Sequence, residues 1–296
     1  MLILKPYPHI TIWGGERLGK YIHQKASHLG HLYMVRGNYK DANVILNGDE
    51  QGDDLYHYFI RNRGRWKLER YTEFPISVAL VDASENLSIQ VHPDEMTAFK
   101  FEGVKKGKNE SFYLLDEPET GQMINGCKCR SKEELRKRVI SQDWDGIIDH
   151  LQVQKGNYVY VPAGTLHAMT KGALAYEIEE TCDYTYRLYD YGRVDQNGSK
   201  RQLDTEKALE SIDVAKKSDP RCYGNDEIVE SGYATKLLCD EKGYINQTSD
   251  IVCLTIIEGS GIADGVKIND AMSIVLEPGD VIRDINIQRG IAARIL

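Results

Sequence analysis

The run GNYVYVPAGTLH, residues 156–167, contains the pattern that decides the fold. Aromatic and β-branched residues before Pro162 favour a β-strand, and Pro162 and Gly164 favour a tight turn directly after that strand. His167 follows the turn, so we expect its side chain to point back into a β-barrel. The simpler alternative for this run alone is a structural turn that precedes an ordinary core histidine.

A second segment, SIQVHPDE at residues 88–95, supplies further candidate metal ligands. Residues two apart in a strand project from the same face, so Gln90 and His92 are predicted to point into one cavity. Glu110 follows 18 residues after His92. Two imidazoles and a carboxylate are the ligand set of an open catalytic zinc site, and the Gln90 side-chain oxygen is a candidate extra ligand. Each residue alone has an ordinary structural explanation, but together with His167 they predict a metal site.

These segments belong to a series of five motifs that resembles one known family. The motifs, in chain order, are IWGG at 12–15, LSIQVHPDE at 87–95, GKNE at 107–110, VPAGTLHA at 161–168 and DYTYRLYDYGR at 183–193. The series resembles type I mannose-6-phosphate isomerases of the short bacterial form, in the cupin superfamily, from Leu4 to about Arg193.

The resemblance implies a zinc-dependent aldose–ketose isomerase that interconverts mannose 6-phosphate and fructose 6-phosphate through an enediol(ate). It implies one zinc ion per chain, held by Gln90, His92, Glu110 and His167, and an active-site arginine at Arg187. Zinc is suited to this reaction as a Lewis acid that stabilises an enediolate. An arginine beside the developing negative charge adds electrostatic stabilisation and keeps its own proton.

The isomerisation also needs a general base. The run YEIEE at 176–180 offers Glu177, which lies ten residues before Arg187, as does an acidic residue proposed as the base in larger family members. The alternative for Glu177 is a carboxylate that orients a ligand histidine. Asp183, in the matching run, is a further candidate for orienting or binding the substrate.

Other residues are candidates for contacts with the sugar phosphate. Lys108 and Arg193 match basic positions near the active site of the family, so both are predicted to hold the phosphate. Ser88, two residues before Gln90, is predicted to donate its hydroxyl to the substrate. The alternative for each is a solvated surface charge or a polar strand residue, which are common on protein surfaces.

One region departs from the family pattern and keeps other functions open. The family has a Gly-Glu-x-Trp run shortly after the WGG motif, whereas this chain reads SHLGHLYMVRG at 27–37. A non-catalytic, sugar-phosphate-binding regulatory cupin is therefore one alternative function. Another is a different cupin metal enzyme, such as an iron oxygenase, because two histidines and one carboxylate also suit iron.

The composition limits the partners and the compartment that we expect. The chain has 296 residues and a formal charge of −8, which argues against a nucleic-acid-binding role. The amino terminus lacks the pattern of a signal peptide, and no apolar run approaches the length of a membrane span. We therefore expect a cytoplasmic protein with reduced cysteines, no membrane partner and a small sugar phosphate as ligand. The oligomeric state is left open.

Most of the chain reads as short strands separated by Gly and Pro turns, which predicts a mainly β protein. Together with the resemblance, this predicts a bicupin, that is two jelly-roll β-barrels, with a small helical insertion. Helices are predicted around 131–151, where Ser131 and Glu134 form a capping box, and around 205–217. We expect a catalytic, metal-binding domain at 1–220 and a β domain at 221–296. The latter has no histidine and is therefore predicted to be free of metal.

Overall fold

A computed structural model describes residues 1–195 and 197–296 of the chain. It is mainly β, which confirms the predicted fold class; the two-barrel arrangement stays a prediction. The strands are β1 (Leu2–Leu4), β2 (Tyr7–Gly15), β3 (Leu29–Val35), β4 (Ile76–Asp82), β5 (Ile89–Val91), β6 (Glu110–Asp116), β7 (Gln122–Cys127), β8 (Ile148–Gln152), β9 (Asn157–Val161), β10 (His167–Ala168), β11 (Leu174–Glu180), β12 (Tyr186–Tyr189), β13 (Pro220–Cys222), β14 (Ile228–Val229), β15 (Tyr233–Ile245), β16 (Val252–Ala263), β17 (Val266–Ile268), β18 (Met272–Leu276) and β19 (Val281–Ile295).

The described strands form three sheets. One seven-stranded sheet has the order β13-β9-β6-β11-β4-β3-β2, and a five-stranded sheet has the order β12-β5-β10-β7-β8. Side chains of both sheets meet in one apolar cluster, which includes Val81 and Phe112 of the first and Met123 and Leu151 of the second. Because the two sheets pack on each other, polar side chains on their inner faces can meet in the space between them.

The third sheet, which we call the C-terminal sheet, has the order β1-β18-β16-β19-β15-β14, with β17 paired to β16. Its first strand comes from the start of the chain: Leu2 pairs with Val275 and Leu4 with Ser273. All three residues of β1 are buried, so their apolar side chains explain this distant pairing. The division of the chain near residue 220 stays a prediction.

The first predicted helical segment is shorter than expected. It contains α3 (Lys132–Ile140) and α4 (Trp144–Ile147), which follow α1 (Leu55–Asn62) and α2 (Glu95–Glu102) in the chain. The Glu134 backbone N–H donates to Ser131 Oγ at 3.1 Å and caps α3. The helix prediction is wrong for residues 148–151, which lie in β8 and pair with β7. Apolar residues at positions 147, 148 and 151 fit a helix and a half-buried strand equally well.

The second predicted helical segment also ends early. Helix α5 covers Thr205–Ser211, and Ile212 has the extended angles φ −63° and ψ 123°. The prediction is therefore wrong for residues 212–217. Ile212 is fully buried in the apolar cluster beside the five-stranded sheet, and leaving the helix places it there. Among the helices of the described residues, none is long and apolar enough to span a membrane.

Candidate metal centre and cavity

Three of the predicted metal ligands meet between the two packed sheets. The Nε2 atom of His92 lies 3.0 Å from Glu110 Oε2, and the Nε2 atom of His167 lies 2.9 Å from Glu110 Oε1. All three side chains are buried, and their ligand atoms lie within 4.8 Å of one another. The sequence motifs therefore converge at one point in the fold.

Strand register brings the fourth predicted ligand to the same place. Gln90 on β5 lies directly opposite His167 on β10 and opposite Arg187 on β12. Directly opposed residues of neighbouring strands project from the same face at about 4.5–5.5 Å between Cβ atoms. His167, Gln90 and Arg187 thus form a row across the five-stranded sheet, and Glu110 on β6 faces this row from the other sheet.

The hydrogen bonds of the two imidazoles leave both Nε2 atoms free for a cation. His92 Nδ1 donates to the backbone oxygen of Tyr184 at 3.1 Å, and His167 Nδ1 donates to that of Thr165 at 2.9 Å. A carbonyl oxygen only accepts, so each Nδ1 carries a proton, and the tautomer with this single proton presents an Nε2 lone pair. Burial lowers the pKa of His92 to about 4, and the charge of Lys108 adds to this effect.

A divalent cation fits between these lone pairs. Each Nε2 lone pair faces a carboxylate oxygen of Glu110, and two acceptors at about 3 Å repel each other unless a cation lies between them. Over the described ranges, His92 Nε2 and Glu110 Oε1 are buried atoms without a hydrogen-bond partner. Buried orphan atoms of this kind call for an ion or another missing partner, so the donor set fits the metal site that the sequence predicts.

Gln90 is held in place by Ser88. Gln90 Oε1 accepts a hydrogen bond from the Ser88 hydroxyl at 3.0 Å, and Gln90 Nε2 lies 3.5 Å from His167 Nε2. The Ser88 hydroxyl can donate or accept. It therefore also supports the flipped amide, in which the Gln90 oxygen points toward the metal site. Ser88 thus contacts a predicted ligand from within the cavity.

A cavity of about 390 Å³ opens beside the metal centre. Its size lies within the usual range for small-molecule sites. Seven of the predicted site residues line it: Ser88, Gln90, Lys108, Glu110, Glu177, Asp183 and Arg187. His92 and His167 lie behind this lining, whereas Arg193 lines a neighbouring cavity.

The wall opposite the row of Gln90 and Arg187 is rich in buried charge. Lys108 Nζ forms an ion pair with Glu179 and lies 3.6 Å from Glu110 Oε2. Burial opposes the charge of Lys108, but the charges of Glu179 and Glu110 outweigh this and raise its pKa. Lys108 therefore neutralises part of the carboxylate cluster and is already paired within the protein.

Glu177 differs from its neighbours because, among the described residues, no Lys or Arg forms an ion pair with its carboxylate. Its closest basic atom in the described part of the chain is His31 Nε2, at 3.7 Å. Burial raises the pKa of Glu177 well above its ordinary value, and the negative charges of Glu179 and Glu110 raise it further. A buried carboxylate with a raised pKa is a typical proton acceptor or donor.

Comparisons with known proteins identify relatives of this chain. No family model matches the chain. It is 34% identical over 217 residues to a mannose-6-phosphate isomerase of Streptococcus mutans serotype c, covering 73% of this chain and 68% of that protein. It is 33% identical over 281 residues to the putative mannose-6-phosphate isomerase YvyI of Bacillus subtilis, covering 88% of this chain and 86% of the relative.

The chain belongs to the mannose-6-phosphate isomerase family. This confirms the predicted family. Among solved structures, the crystal structure of mannose 6-phosphate isomerase from Bacillus subtilis matches with a TM-score of 0.81 and 28% identity, over 99% of this chain and 98% of the other. A putative mannosephosphate isomerase from Archaeoglobus fulgidus, at 16% identity and a TM-score of 0.72, shares the fold.

Within this mannose-6-phosphate isomerase fold, Asp183 is held by the segment that follows β3. It accepts hydrogen bonds from Arg36 at 3.1 Å and from the side-chain amide of Asn38 at 3.1 and 3.3 Å. Lys40 Nζ lies 3.8 Å from the same carboxylate. Asp183 therefore ties two loops together at the edge of the cavity, a contact that its position in the motif did not reveal.

The structure does not bring Arg193 to the cavity that holds the other site residues. The backbone turns sharply at Tyr191 and Gly192, with φ angles of 57° and 67°. This turn folds Arg193 back, and its guanidinium donates to the carboxylate of Asp190 and to the backbone oxygen of Asn86. The spacing of six residues from Arg187 suggested proximity, but the turn removes it.

Several residues of the cavity were missed by sequence reasoning. His31 and Tyr33 lie on the same face of β3, and their rings stack with centroids 5.2 Å apart. Trp13 meets His31 edge-on at 5.0 Å. Arg36 and Arg201 also line the cavity. The departing segment at 27–37 contained the signal for three of these, because His31 and Tyr33 alternate as strand residues do and Arg36 follows them.

Proposed function

We propose that this chain is a zinc-dependent aldose–ketose isomerase that interconverts mannose 6-phosphate and fructose 6-phosphate. The observation that carries the proposal is the buried centre of His92, Glu110 and His167, which opens onto a cavity with Glu177 and Arg187 in its lining. The family relationship supports the substrate, because relatives at 33–34% identity are named mannose-6-phosphate isomerases.

The metal would be held by Gln90, His92, Glu110 and His167, with one ion per chain. Bound zinc supplies a Lewis acid that polarises a substrate oxygen. The backbone carbonyls of Tyr184 and Thr165 fix the tautomers of the two histidines. Such fixed tautomers keep the ligand nitrogens unprotonated and correctly oriented.

Glu177 is the proposed general base. Its carboxylate accepts the proton from C2 of the aldose and returns it to C1, while the hydroxyl proton of O2 passes to O1. Together these transfers convert the aldose into the ketose through an enediol(ate). The absence of a Lys or Arg partner among the described residues and the raised pKa both suit this exchange, because both make the carboxylate a stronger proton acceptor. Glu179 is less suited, since Lys108 already holds its carboxylate.

Arg187 is proposed to stabilise the negative oxygen that develops on the enediolate. Its position beside Gln90 in the strand register supports this role, and its guanidinium remains charged at any working pH. Ser88 orients Gln90, and Asp183 orders the neighbouring loops. Lys108 is paired with Glu179 and lies beside Glu110, so we assign it to charge balance. We place the activity in the cytoplasm, where reducing conditions keep its six free cysteines unpaired.

A coupled assay of fructose 6-phosphate formation from mannose 6-phosphate tests the proposed function. We expect turnover by the zinc-loaded chain and a loss of activity in the Glu177→Gln variant that still binds zinc. Removing a general base costs about 10²–10⁴-fold in rate. A zinc-loaded protein without turnover contradicts the proposal. Unchanged turnover in Glu177→Gln leaves the isomerase assignment standing and removes Glu177 as its base.

A further inference from the structure

The Arg187 guanidinium is exceptional among the cavity cations because it has no carboxylate partner. Within 1–195 and 197–296, no acidic side chain forms an ion pair with it, and its Nε atom is buried without a hydrogen-bond partner. Asp204 is close, but its carboxylate accepts from the Arg187 backbone N–H, at 3.4 Å. A half-buried guanidinium without a carboxylate partner indicates that an anion belongs at this end of the cavity.

A second guanidinium lies at the same end of the cavity. Arg201 lines the cavity together with Arg187, and its positive charge adds to burial in lowering the pKa of Arg187. Arg201 donates two hydrogen bonds to the carboxylate of Asp190, from Nε at 2.8 Å and from Nη2 at 2.6 Å. Arg193 donates to the same carboxylate. Two arginines thus share one carboxylate, and a positive charge is left over.

The cations on the other walls of the cavity are already neutralised. Arg36 is paired with Asp183 at 3.1 Å and lies 3.6 Å from Asp41 and 3.9 Å from Glu179. Lys40 is near Asp183, and Lys108 is held by Glu179. A doubly charged anion is therefore repelled by the carboxylates on those walls and attracted toward Arg187 and Arg201.

The strand order shows how Gln90, Arg187 and Arg201 follow one another along the cavity. Arg187 is opposite Gln90 on β12, the edge strand of the five-stranded sheet. The segment that carries Arg201 runs along the open side of β12, where the Asp204 backbone N–H donates to the Arg187 backbone oxygen at 2.8 Å. Arg187 thus lies between the metal ligand Gln90 and the segment of Arg201.

We propose that Arg201 binds the phosphate group of the sugar-phosphate substrate, with Arg187 between this phosphate site and the metal centre. The proposal rests on the proposed function and adds a specificity residue to it. A guanidinium matches phosphate oxygens with two parallel donors. Asp190 orients the Arg201 guanidinium and is itself compensated by Arg193. Arg193 therefore acts indirectly, through Asp190.

Kinetics of three variants test this assignment. Arg201→Gln is expected to raise KM for mannose 6-phosphate roughly ten- to a hundredfold, the usual cost of a charged hydrogen bond, with little change in kcat. Arg201→Lys should recover part of the loss. Arg193→Gln should raise KM by a smaller factor than Arg201→Gln, because Arg193 acts only by sharing the Asp190 carboxylate. A larger KM increase in Arg193→Gln than in Arg201→Gln overturns the proposal.

Calorimetric binding of inorganic phosphate separates this proposal from the isomerase assignment, because it needs no turnover. The zinc-loaded wild type should bind phosphate, and Arg201→Gln should bind it roughly ten- to a hundredfold more weakly. Equal affinities, or no binding by the wild type, overturn the phosphate site even if the enzyme is active. Conversely, a wild type without turnover that binds phosphate through Arg201 overturns only the reaction.

Thermal unfolding checks that the variants are folded. If Arg201→Gln does not fold, Arg201→Lys is compared with the wild type instead. Lysine keeps the charge but loses the forked pair of donors, so phosphate affinity should fall by about three- to tenfold. An unchanged phosphate affinity in Arg201→Lys then overturns the proposal.

Discussion

The five-stranded sheet and the C-terminal sheet differ in the kind of side chain that they bury. Beside the first lie the buried charged or ionisable side chains of His92, Glu110 and His167. In the second, the inward residues of β16 are apolar, such as Leu254 and Ile256. From residue 228 to the end, all of which the structure describes, no Asp, Glu, Lys, Arg or His is buried.

This difference shows that the unfavourable burial of charged side chains occurs around the candidate site and not in the C-terminal sheet. Burying a charge is unfavourable unless it is paired or bound to a metal, and buried polar groups in the C-terminal sheet are paired neutral groups. Thr255 and Ser273, for example, share a hydrogen bond of 2.8 Å. The buried contacts of the C-terminal sheet stabilise the fold. The buried ionisable groups between the other two sheets destabilise it, and they form the proposed reactive centre.

The largest expected effect follows from removing a metal ligand. His167→Ala deletes one of the two imidazoles, so zinc binding should fail and the Lewis acid should be lost. Such a metal contributes several kcal/mol to the transition state, which corresponds to a rate loss of about 10³-fold or more. Metal analysis and the coupled assay measure both quantities. Full activity with bound zinc would show that the centre does not depend on His167.

A slightly smaller effect is expected for Arg187→Ala. Loss of one preorganised donor to a developing oxyanion typically reduces kcat by about 10²–10³-fold. Zinc content should stay at one per chain, because Arg187 is not a ligand. Turnover close to that of the wild type would show that Arg187 serves only the phosphate end of the cavity.

A cavity mutation in the C-terminal sheet should affect stability alone. Leu254 is fully buried in the apolar cluster of this sheet, so Leu254→Ala should lower the free energy of unfolding by about 2–5 kcal/mol. The kcat of the folded variant and its zinc content should be unchanged. Chemical denaturation and the coupled assay provide the two readouts. A large drop in kcat would mean that the two regions are coupled.

The smallest predicted effect concerns acid stability. Burial lowers the pKa of His31 from 6.5 to about 3 in the folded protein. Between about pH 6.5 and 3, His31 is therefore protonated in the unfolded chain and neutral in the folded chain. The free energy of unfolding falls as the pH drops through this range. One such group contributes at most about 1.4 kcal/mol per pH unit. The C-terminal sheet has no histidine to add to this.

Urea unfolding at pH 7 and pH 4.5 measures this dependence. In His31→Gln, the loss of unfolding free energy between the two pH values should be smaller than in the wild type, by up to about 1.4 kcal/mol per pH unit. An equal loss in both proteins would show that His31 does not carry the acid sensitivity.

The metal centre could be predicted from the sequence because its signals are local. Strand alternation placed Gln90 and His92 on one face, and the Pro-Gly turn placed His167 after its strand. The packing of the two sheets, which brings Glu110 on β6 opposite them, has no local signal in the sequence. Glu110 was predicted as the carboxylate of the ligand set, which the family resemblance supported. Gln90, Glu110 and His167 lie in strands and His92 directly follows β5, so the direction of these side chains follows from spacing.

The positions of Arg193 and Arg201 and the strand at 148–151 could not be predicted, because they depend on loop geometry or on long-range packing. Arg193 is turned away by the left-handed backbone at Tyr191 and Gly192, and its spacing from Arg187 did not show this. Arg201 reaches the cavity through a loop without regular structure. Residues 148–151 had apolar spacing that fits a helix or a strand, and pairing with β7 decided in favour of the strand.

Stepwise addition of zinc to the metal-free chain tests the central claim most directly. Bound zinc and the rate of fructose 6-phosphate formation are measured on the same samples. We predict that activity rises in proportion to bound zinc and reaches its maximum at one ion per chain, while the His167→Ala variant stays inactive. Full activity in the metal-free chain, or no activity at one zinc per chain, would contradict the account.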